Sequence, residues 1–223
     1  DKLDTLRGCF AIGLAPTGSK DPFGLRRAAQ GVVKILVESR APLSLASLLG
    51  ESTELKEFFL DRVRYYFRDI RGFKYDEVHA VLAAGWDNLA DAADRLDAIQ
   101  AVRPTENFEP LAASFKRIRN ILKQAAFVSG GTVEPSLLEP GPEHALHEAF
   151  RSTREQVRTG NLGYREKLET IARIRPAVDL FFDKVLVNAP DEAVRRNRLT
   201  LLDSLLTEFS AIADFSEIVT QGT

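Results

Sequence analysis

The spacing of its apolar residues is the feature that most constrains the fold of this chain. Along nearly the whole sequence, apolar side chains recur every three to four positions, which is the period of an α-helix with one buried face. We find no convincing stretch in which apolar and polar residues alternate with the period of two that a half-buried strand shows. The sequence therefore predicts an all-α fold, built as a helical bundle.

Individual stripes predict where the helices lie and which side chains face the core. Asp21 is expected to cap a helix with Pro22 at its first position, because this pair is typical of helix N-termini. Three later stripes predict buried faces: Phe59, Val63, Tyr66, Phe67 and Ile70; Leu89, Ala92, Leu96 and Ile99; and Leu111, Phe115, Ile118, Leu122 and Ala125. Two long helices are expected to close the chain, from about residue 164 to 187 with a kink near Pro176, and from 191 to about 219.

The composition is that of an ordinary soluble globular protein. Hydrophobic residues make up 44% of the 223 positions, which is enough for a core, and no apolar run approaches the roughly 20 residues that cross a bilayer. The single cysteine, Cys9, leaves no internal disulfide and fits a reducing, cytoplasmic compartment. Because methionine is absent and no initiator is present, we expect that the chain was cut from a longer protein or trimmed.

Charge is distributed unevenly although the formal net charge is only −2. Residues 110–133 contain four bases and no acid, whereas residues 76–109 contain eight acids and two bases. A nearly neutral protein with such segregation can still carry a local positive patch.

Two helical segments place basic residues on one face. Arg64, Arg68 and Arg71 follow the spacing i, i+4, i+7, with Lys74 just beyond, and Lys116, Asn120 and Lys123 repeat this spacing. Arg117 and Arg119 lie beside the second set. Such stripes suit phosphates, since each contact neutralises one charge and releases counterions. Ion pairs with the acidic segment 76–109 also explain the pattern, and charge alone slightly favours them, because basic stripes usually form solvated helix faces.

The remaining motifs predict neither a catalytic nor a metal site. Residues 13–20, GLAPTGSK, come close to a phosphate-binding loop, but the order Gly-Ser-Lys is wrong, Pro16 removes an amide donor and no strand precedes. His144 and His147 lack the further ligands that a zinc site needs and are expected on a solvated helix face. Cys9 lies in an apolar stretch and is expected to be buried rather than activated.

Several long stretches resemble the β subunit of the bacterial two-subunit glycyl-tRNA synthetase. The resemblance is carried by residues 1–6 DKLDTL, 15–29 APTGSKDPFGLRRAA, 67–73 FRDIRGF, 98–108 AIQAVRPTENF, 111–122 LAASFKRIRNIL, 197–202 NRLTLL and 212–218 IADFSEI. These stretches span almost the whole chain, and the longer ones are too idiosyncratic to match by chance.

The resemblance implies a domain organisation and a set of binding residues. Residues 1–50 would be the C-terminal end of an HD-like helical domain, with Asp1 at the place of that fold's last metal-binding aspartate and its histidine partners upstream of this chain. Residues 55–219 would be a helical anticodon-binding domain like that of arginyl-tRNA synthetase. The expected tRNA-binding residues are Lys116, Arg117, Arg119, Asn120 and Lys123, followed by Arg64, Arg68, Arg71 and Lys74. Alternatively, Arg119 and Asn120 form a buried polar pair that braces the bundle.

The same resemblance implies the activity and the partners. Glycine activation, with its ATP and Mg, belongs to the separate α subunit, so this chain is expected to bind no cofactor and to be non-catalytic alone. The expected partners are glycine tRNA and the α subunit, in a heterotetramer, and neither DNA nor a membrane. The alternative function is a helical protein–protein interaction scaffold for assembly of the α and β subunits.

Overall fold

The computed structural model describes residues 2–220, and within them the chain is all-α, as predicted. This part of the chain contains no strand, and Thr17 and Lys20 form an isolated bridge inside a turn. The α-helices in chain order are α1 Lys2–Ala11, α2 Leu25–Glu38, α3 Leu45–Leu49, α4 Thr53–Tyr65, α5 Tyr75–Ala83, α6 Leu89–Val102, α7 Phe108–Gln124, α8 Pro142–Thr159, α9 Tyr164–Ala172, α10 Arg175–Lys184 and α11 Glu192–Phe209. A π-helical turn, Tyr66–Ile70, follows α4, and 3-10 turns lie at Pro135–Leu137 and Phe215–Glu217. None of the described helices is both long and apolar enough to span a bilayer.

The chain forms two compact units that divide between Asp97 and Ala98, inside α6. The domains implied by the resemblance, residues 1–50 and 55–219, stay a prediction. They differ from the compact units because α2 and α4, which flank the expected boundary, pack against each other within the first unit. Asp1, the expected counterpart of a metal-binding aspartate, lies outside the described residues.

The core of the first unit forms where α1, α2 and α4 meet. Phe10 of α1 lies against Phe58 of α4, with ring centroids 5.1 Å apart. The fully enclosed side chains here are Leu6, Ala29, Val33, Phe59 and Val63. Burial of such apolar area supplies the main stabilisation of a helical unit, at about 25 cal/mol per Å². The predicted stripe of α6, which begins at Leu89 and ends at Ile99, is buried as well.

The stripe predicted from Phe59 to Ile70 is confirmed except at its end. Tyr66 and Phe67 are buried, but Ile70 is 57% exposed. The cause is the π-helical turn, in which the amide of Arg71 donates to the carbonyl of Tyr66, five residues back, at 2.9 Å. This wider turn breaks the 3.6-residue period and rotates Ile70 off the buried face. Gly72 then ends the helix with φ 79°, a left-handed conformation that glycine adopts without strain.

The start of α2 was predicted too early. Gly24, with φ 64°, is the N-cap, and the helix begins at Leu25 rather than at Pro22. Asp21 nevertheless satisfies the first turn, because its carboxylate accepts hydrogen bonds from the amides of Leu25 at 2.8 Å and Arg26 at 3.0 Å. The capping function of Asp21 is therefore confirmed, and the position of the helix start is corrected.

The second unit packs its helices around a phenylalanine cluster. The ring centroid of Phe115 in α7 lies 5.3 Å from that of Phe215 and 6.3 Å from that of Phe209. The ring centroids of Phe150 in α8 and Phe209 are 5.8 Å apart. The stripe predicted on α7 is buried from Leu111 to Leu122, but Ala125 is exposed because α7 ends at Gln124.

Both helices predicted at the end of the chain are shorter than expected. The segment 164–187 forms two helices, α9 and α10, because Pro176 lacks an amide donor and occupies the first turn of a new helix. The last helix, α11, starts as predicted, since the carboxylate of Asp191 accepts from the amide of Val194 at 2.9 Å. It ends at Phe209 rather than near residue 219, and the chain continues into the 3-10 turn Phe215–Glu217.

A buried ion pair joins α11 to the start of α8. Nε of Arg198 donates to Oε1 of Glu143 at 2.8 Å, and the two side chains are 6% and 1% exposed. The same guanidinium donates to the carbonyl of Leu186 at 2.9 Å and lies 3.1 Å from Glu139. Arg198 therefore connects α11 to α8 and to the segment that follows α10.

Candidate nucleic-acid interface

The solvent side of α7 carries the expected basic face. Lys116, Asn120 and Lys123 are exposed and, at i, i+4 and i+7, lie on one side of the helix, away from its buried stripe. Within residues 2–220, none of these three side chains forms an ion pair or a hydrogen bond. Two ammonium groups and one amide are thus available to a ligand.

Arg119 has a different environment, because it holds a neighbouring turn. Its Nη1 donates to Asp214 at 2.7 Å, to Glu217 at 3.3 Å and to the hydroxyl of Ser216. The buried Arg119–Asn120 pair considered above is wrong, since Arg119 is 47% exposed and bonds to another element while Asn120 faces solvent. Arg119 stabilises the turn Phe215–Glu217 against α7. It therefore does brace the bundle, but through Asp214, Ser216 and Glu217 and not through Asn120.

Arg117 is exposed but has a specific contact. Its guanidinium carbon lies 4.1 Å from the ring centroid of Phe182 in α10, which is the geometry of a cation–π interaction. One face of the guanidinium is occupied by this ring. The hydrogen-bonding edge remains available, so Arg117 is held ready to contact a phosphate or a base edge.

The arginines expected in the first unit are largely engaged. Arg64 pairs with Asp61 at 3.2 Å, Arg68 with Asp69 at 2.8 Å and Arg71 with Asp97 at 3.3 Å. Of the three described pairs, that of Arg71 reaches the acidic segment 76–109, so the ion-pair interpretation holds for this arginine. All three pairs are at least partly exposed, and such pairs contribute little stability and exchange partners readily.

Lys74 lies next to an aromatic pair that the sequence analysis missed. Tyr75 is 61% exposed and stacks on His79, with ring centroids 4.1 Å apart and an interplanar angle of 31°. An exposed, supported ring beside a lysine can stack with an unpaired base. The adjacency of Lys74 and Tyr75 in the sequence was the available signal.

Arg195 and Arg196 at the start of α11 were also missed. They lie beside the C-terminal end of α7, where both line a cleft with Ala125–Val128. The run Arg195-Arg196-Asn197-Arg198 was visible in the sequence, but sequence alone does not say which of these side chains face solvent. Asn197 and Arg198 are buried, whereas Arg196 is exposed and Arg195 half-buried.

The histidines and the cysteine form no recognisable reaction centre. His144 is exposed, and His147 lines a cleft of about 570 Å³ beneath the loop 129–135, where Arg154 and Glu208 pair at 3.1 Å. Burial lowers the pKa of His147 below its ordinary value of 6.5. Cys9 is half-buried rather than fully buried. In the part of the chain that the structure describes, no three His, Cys, Asp or Glu side chains cluster as metal ligands.

Known proteins match the sequence along nearly its whole length. The family described as glycyl-tRNA synthetase beta subunit matches residues 1–83. The glycine–tRNA ligase beta subunit of Acidobacterium capsulatum is 46% identical over 242 aligned residues, which cover 98% of this chain and 34% of that protein. The corresponding beta subunits of Trichlorobacter lovleyi and Ralstonia nicotianae are 41% and 39% identical, again over 98% of this chain and 34% and 33% of their own length.

The class of protein that these matches define is that of the tRNA ligase subunits. Within this class, the chain belongs to the family of bacterial glycyl-tRNA synthetase β subunits, which confirms the resemblance seen in the sequence. It spans about a third of the length of the curated relatives that it matches.

Proposed function

We propose that this chain is the tRNA-binding part of a glycine–tRNA ligase β subunit and holds the anticodon stem-loop on the exposed face of α7. The observation that carries the proposal is the set of Lys116, Asn120 and Lys123, which share one face and have no partner within the described residues. Family membership supplies the substrate class, because the relatives are named as glycine–tRNA ligase subunits.

The side chains on this face would make different kinds of contact with the RNA, according to their chemistry. Lysines bind backbone phosphates as point charges and set affinity without reading sequence. The amide of Asn120 presents a donor and an acceptor, which can pair with the edge of an unstacked loop base. Arg117, whose guanidinium lies over the ring of Phe182, can donate paired hydrogen bonds to a phosphate or to the edge of a base. Arg119 acts indirectly, by fixing the turn Phe215–Glu217 beside α7.

The basic residues of the first unit have a secondary part in the proposal. Arg64, Arg68, Arg71 and Lys74 would contact backbone phosphates, and the three arginines would have to exchange their present carboxylate partners for phosphates. The chain itself would carry out no chemical step. ATP-dependent activation of glycine, with Mg, would occur on a separate α subunit bound to the β subunit in a heterotetramer in the cytoplasm, and neither DNA nor a membrane would be a partner.

The test is a titration of this chain with glycine tRNA at several salt concentrations between about 50 and 200 mM. Lys116 and Lys123 are both changed to alanine, and Asn120→Ala is made separately. Loss of two phosphate contacts is expected to weaken binding about tenfold or more and to lower the slope of log Kd against log salt by about 1.4 to 1.8. Asn120→Ala is expected to leave the slope unchanged and to reduce the preference for the glycine anticodon over a swapped anticodon.

The matched control is the double variant Arg165→Ala, Lys167→Ala. It removes the same charge from α9, whose Arg165 is 67% exposed and whose packing partner is α8 rather than α7. Each variant is first checked for cooperative melting. Equal losses of tRNA affinity in the α7 and α9 variants would show that the effect comes from bulk charge and not from a specific site. Absence of binding to any tRNA at low salt would contradict the tRNA-binding function itself.

A protein-interaction scaffold is the second candidate, and exposed apolar side chains in the first unit favour it. Ile12 is 71% exposed, Phe23 56% and Ile35 55%. Exposed apolar groups are common contacts in subunit interfaces. A packed apolar interface depends only weakly on salt, whereas binding through several phosphates weakens steeply. The salt series therefore separates the two functions.

A further inference from the structure

We infer that Arg195 and Arg196 of α11, with the end of α7, form a second RNA contact that takes one unstacked nucleotide: its phosphate on the guanidinium groups and its base or sugar on the apolar floor. The inference rests on the proposed function, because it extends the RNA-binding face of α7 to a second helix. It adds residues that neither the sequence pattern nor the relatives' names indicate.

The first observation is a cleft of about 280 Å³ between the two helices. Its lining combines apolar and charged residues. The segment at the end of α7 contributes Ala125, Ala126, Phe127 and Val128, and α11 contributes Glu192, Arg195, Arg196 and Leu199. This volume lies just below the range of about 300 to 1,000 Å³ that is typical of ligand sites, which suits a single nucleotide unit better than a larger molecule. Val128 is 85% exposed, so this floor includes an apolar side chain that the described residues leave uncovered.

The second observation is that the two guanidinium groups have no partner. Neither side chain forms an ion pair or a hydrogen bond with any residue that the structure describes. In the same unit, Arg158, Arg165, Arg175 and Arg198 all lie beside carboxylates. The cleft contains one carboxylate, that of Glu192, against two arginines. The cleft is therefore positive at neutral pH and attracts a phosphodiester.

The third observation concerns where these arginines lie in α11. They occupy its first turns, close to N-cap Asp191, where the helix dipole and the free amides favour negative charge. Two arginines at this position do not serve the stability of the helix. Their removal is expected to leave the melting temperature unchanged or slightly raised, which distinguishes a ligand contact from a structural one.

The backbone at the end of α7 brings the apolar residues Ala125–Val128 next to α11. Ala126 takes φ 45°, a left-handed conformation that is unusual for a residue with a side chain, and the amide of Phe127 donates to the carbonyl of Leu122 at 3.0 Å. This cap turns Phe127 and Val128 toward the arginines. Because Lys123 lies in the last turn of α7, just before the floor begins at Ala125, a backbone held by Lys116 and Lys123 can continue into the cleft.

An unstacked nucleotide fits this combination better than a base-paired one. In a duplex the base faces are stacked on one another and cannot contact an apolar floor, whereas a loop nucleotide can turn its base outward. Paired arginines then hold its phosphate with forked hydrogen bonds. The cleft thus selects single-stranded loop RNA over duplex RNA.

The test compares the double variant Arg195→Ala, Arg196→Ala with the chain itself on two RNAs, the anticodon stem-loop of a glycine tRNA and a duplex of equal length. We expect the stem-loop Kd to rise about tenfold or more and the salt slope to fall by about 0.7, because one phosphate contact is lost, with a clearly smaller change on the duplex. The conservative variant Arg195→Lys, Arg196→Lys keeps both charges and is expected to restore most of the salt slope. The melting temperature of both variants is expected to stay within about 2 °C of that of the parent chain, because no contact of the fold is removed.

Three outcomes would overturn the inference. An unchanged stem-loop Kd, while the Lys116→Ala, Lys123→Ala variant loses affinity, would leave the proposed function intact and remove this contact. Equal losses on stem-loop and duplex would show general attraction rather than a nucleotide site. A loss that appears only in association with a partner protein, with RNA binding unaffected, would assign the cleft to a protein contact. If the parent chain binds neither RNA at low salt, the proposed function and this contact both fail.

Discussion

At the scale of single residues, the basic side chains of the second unit fall into two groups with different roles. Arg198 and Arg119 are bonded to carboxylates of other elements and hold the fold, whereas Lys116 and Lys123 have no partner in the described chain. A buried charge is costly unless it is paired, while an exposed charge costs almost nothing. The first group is therefore expected to affect stability and the second to affect binding.

Loss of the buried pair is expected to destabilise the protein strongly. Glu143→Ala leaves the guanidinium of Arg198 buried with only Glu139 and the carbonyl of Leu186 as partners, which is expected to lower the free energy of unfolding by about 3 to 5 kcal/mol. Glu143→Gln retains an acceptor and is expected to cost less. Urea denaturation measures both.

The control for this prediction lies in the same helix. Glu148 is 65% exposed, and Glu148→Ala is expected to change stability by no more than about 0.5 kcal/mol. If Glu143→Ala and Glu148→Ala were equally mild, the pair would not hold α11 to α8.

His147 is expected to make stability depend on pH. Burial lowers its pKa in the folded protein, with Arg151 and His144 acting in the same direction and Glu148 opposing them. The unfolded state therefore binds the proton more readily, so the stability contribution is complete above the ordinary pKa of 6.5 and is lost as the pH falls below it. Unfolding free energies of the parent chain and His147→Gln, measured at several pH values, are expected to converge between about pH 7 and 5. A difference that stays constant over this range would contradict the assignment.

At the scale of elements, departures from regular helix geometry decide which residues face the core. The π-helical turn Tyr66–Ile70 buries Phe67 and exposes Ile70, although both belong to one predicted stripe. The break before Pro176 divides one predicted helix into α9 and α10. In both cases a single backbone hydrogen bond, displaced or missing, changes the direction of the following residues.

The π-helical turn gives a direct test at this scale. Ile70→Lys is expected to cost less than about 0.5 kcal/mol of unfolding free energy, because its side chain already faces solvent. Phe67→Ala removes a fully buried ring and is expected to cost about 3 to 5 kcal/mol. Chemical denaturation of the two variants compares them. A regular helix through this segment would bury Ile70 and make Ile70→Lys severely destabilising.

At the scale of the whole molecule, a net charge of −2 conceals surfaces of opposite sign. Each compact unit has its own core and its own group of basic residues, and in each unit part of that group is neutralised by nearby carboxylates. Long-range attraction of RNA by bulk charge is therefore expected to be weak, and the proposed RNA binding would depend on short-range contacts that salt screens over about 10 Å. Both RNA-binding proposals accordingly use salt dependence as the measured quantity.

The sequence by itself determined the helical class, the buried stripes of α6 and α7 and the family, because helical periodicity and long matched segments are local properties. Lys116, Asn120 and Lys123 could be placed on one face for the same reason, since i, i+4 and i+7 share a side of any regular helix. Only the tertiary structure decided which charges are free. Arg119 pairs with Asp214, which is 95 positions away in sequence, and Arg198 pairs with Glu143, which is 55 positions away. The cleft lined by Arg196 and Val128 exists only where α7 and α11 meet. Such pairings depend on how helices pack, and packing is set by the whole core rather than by the residues that pair.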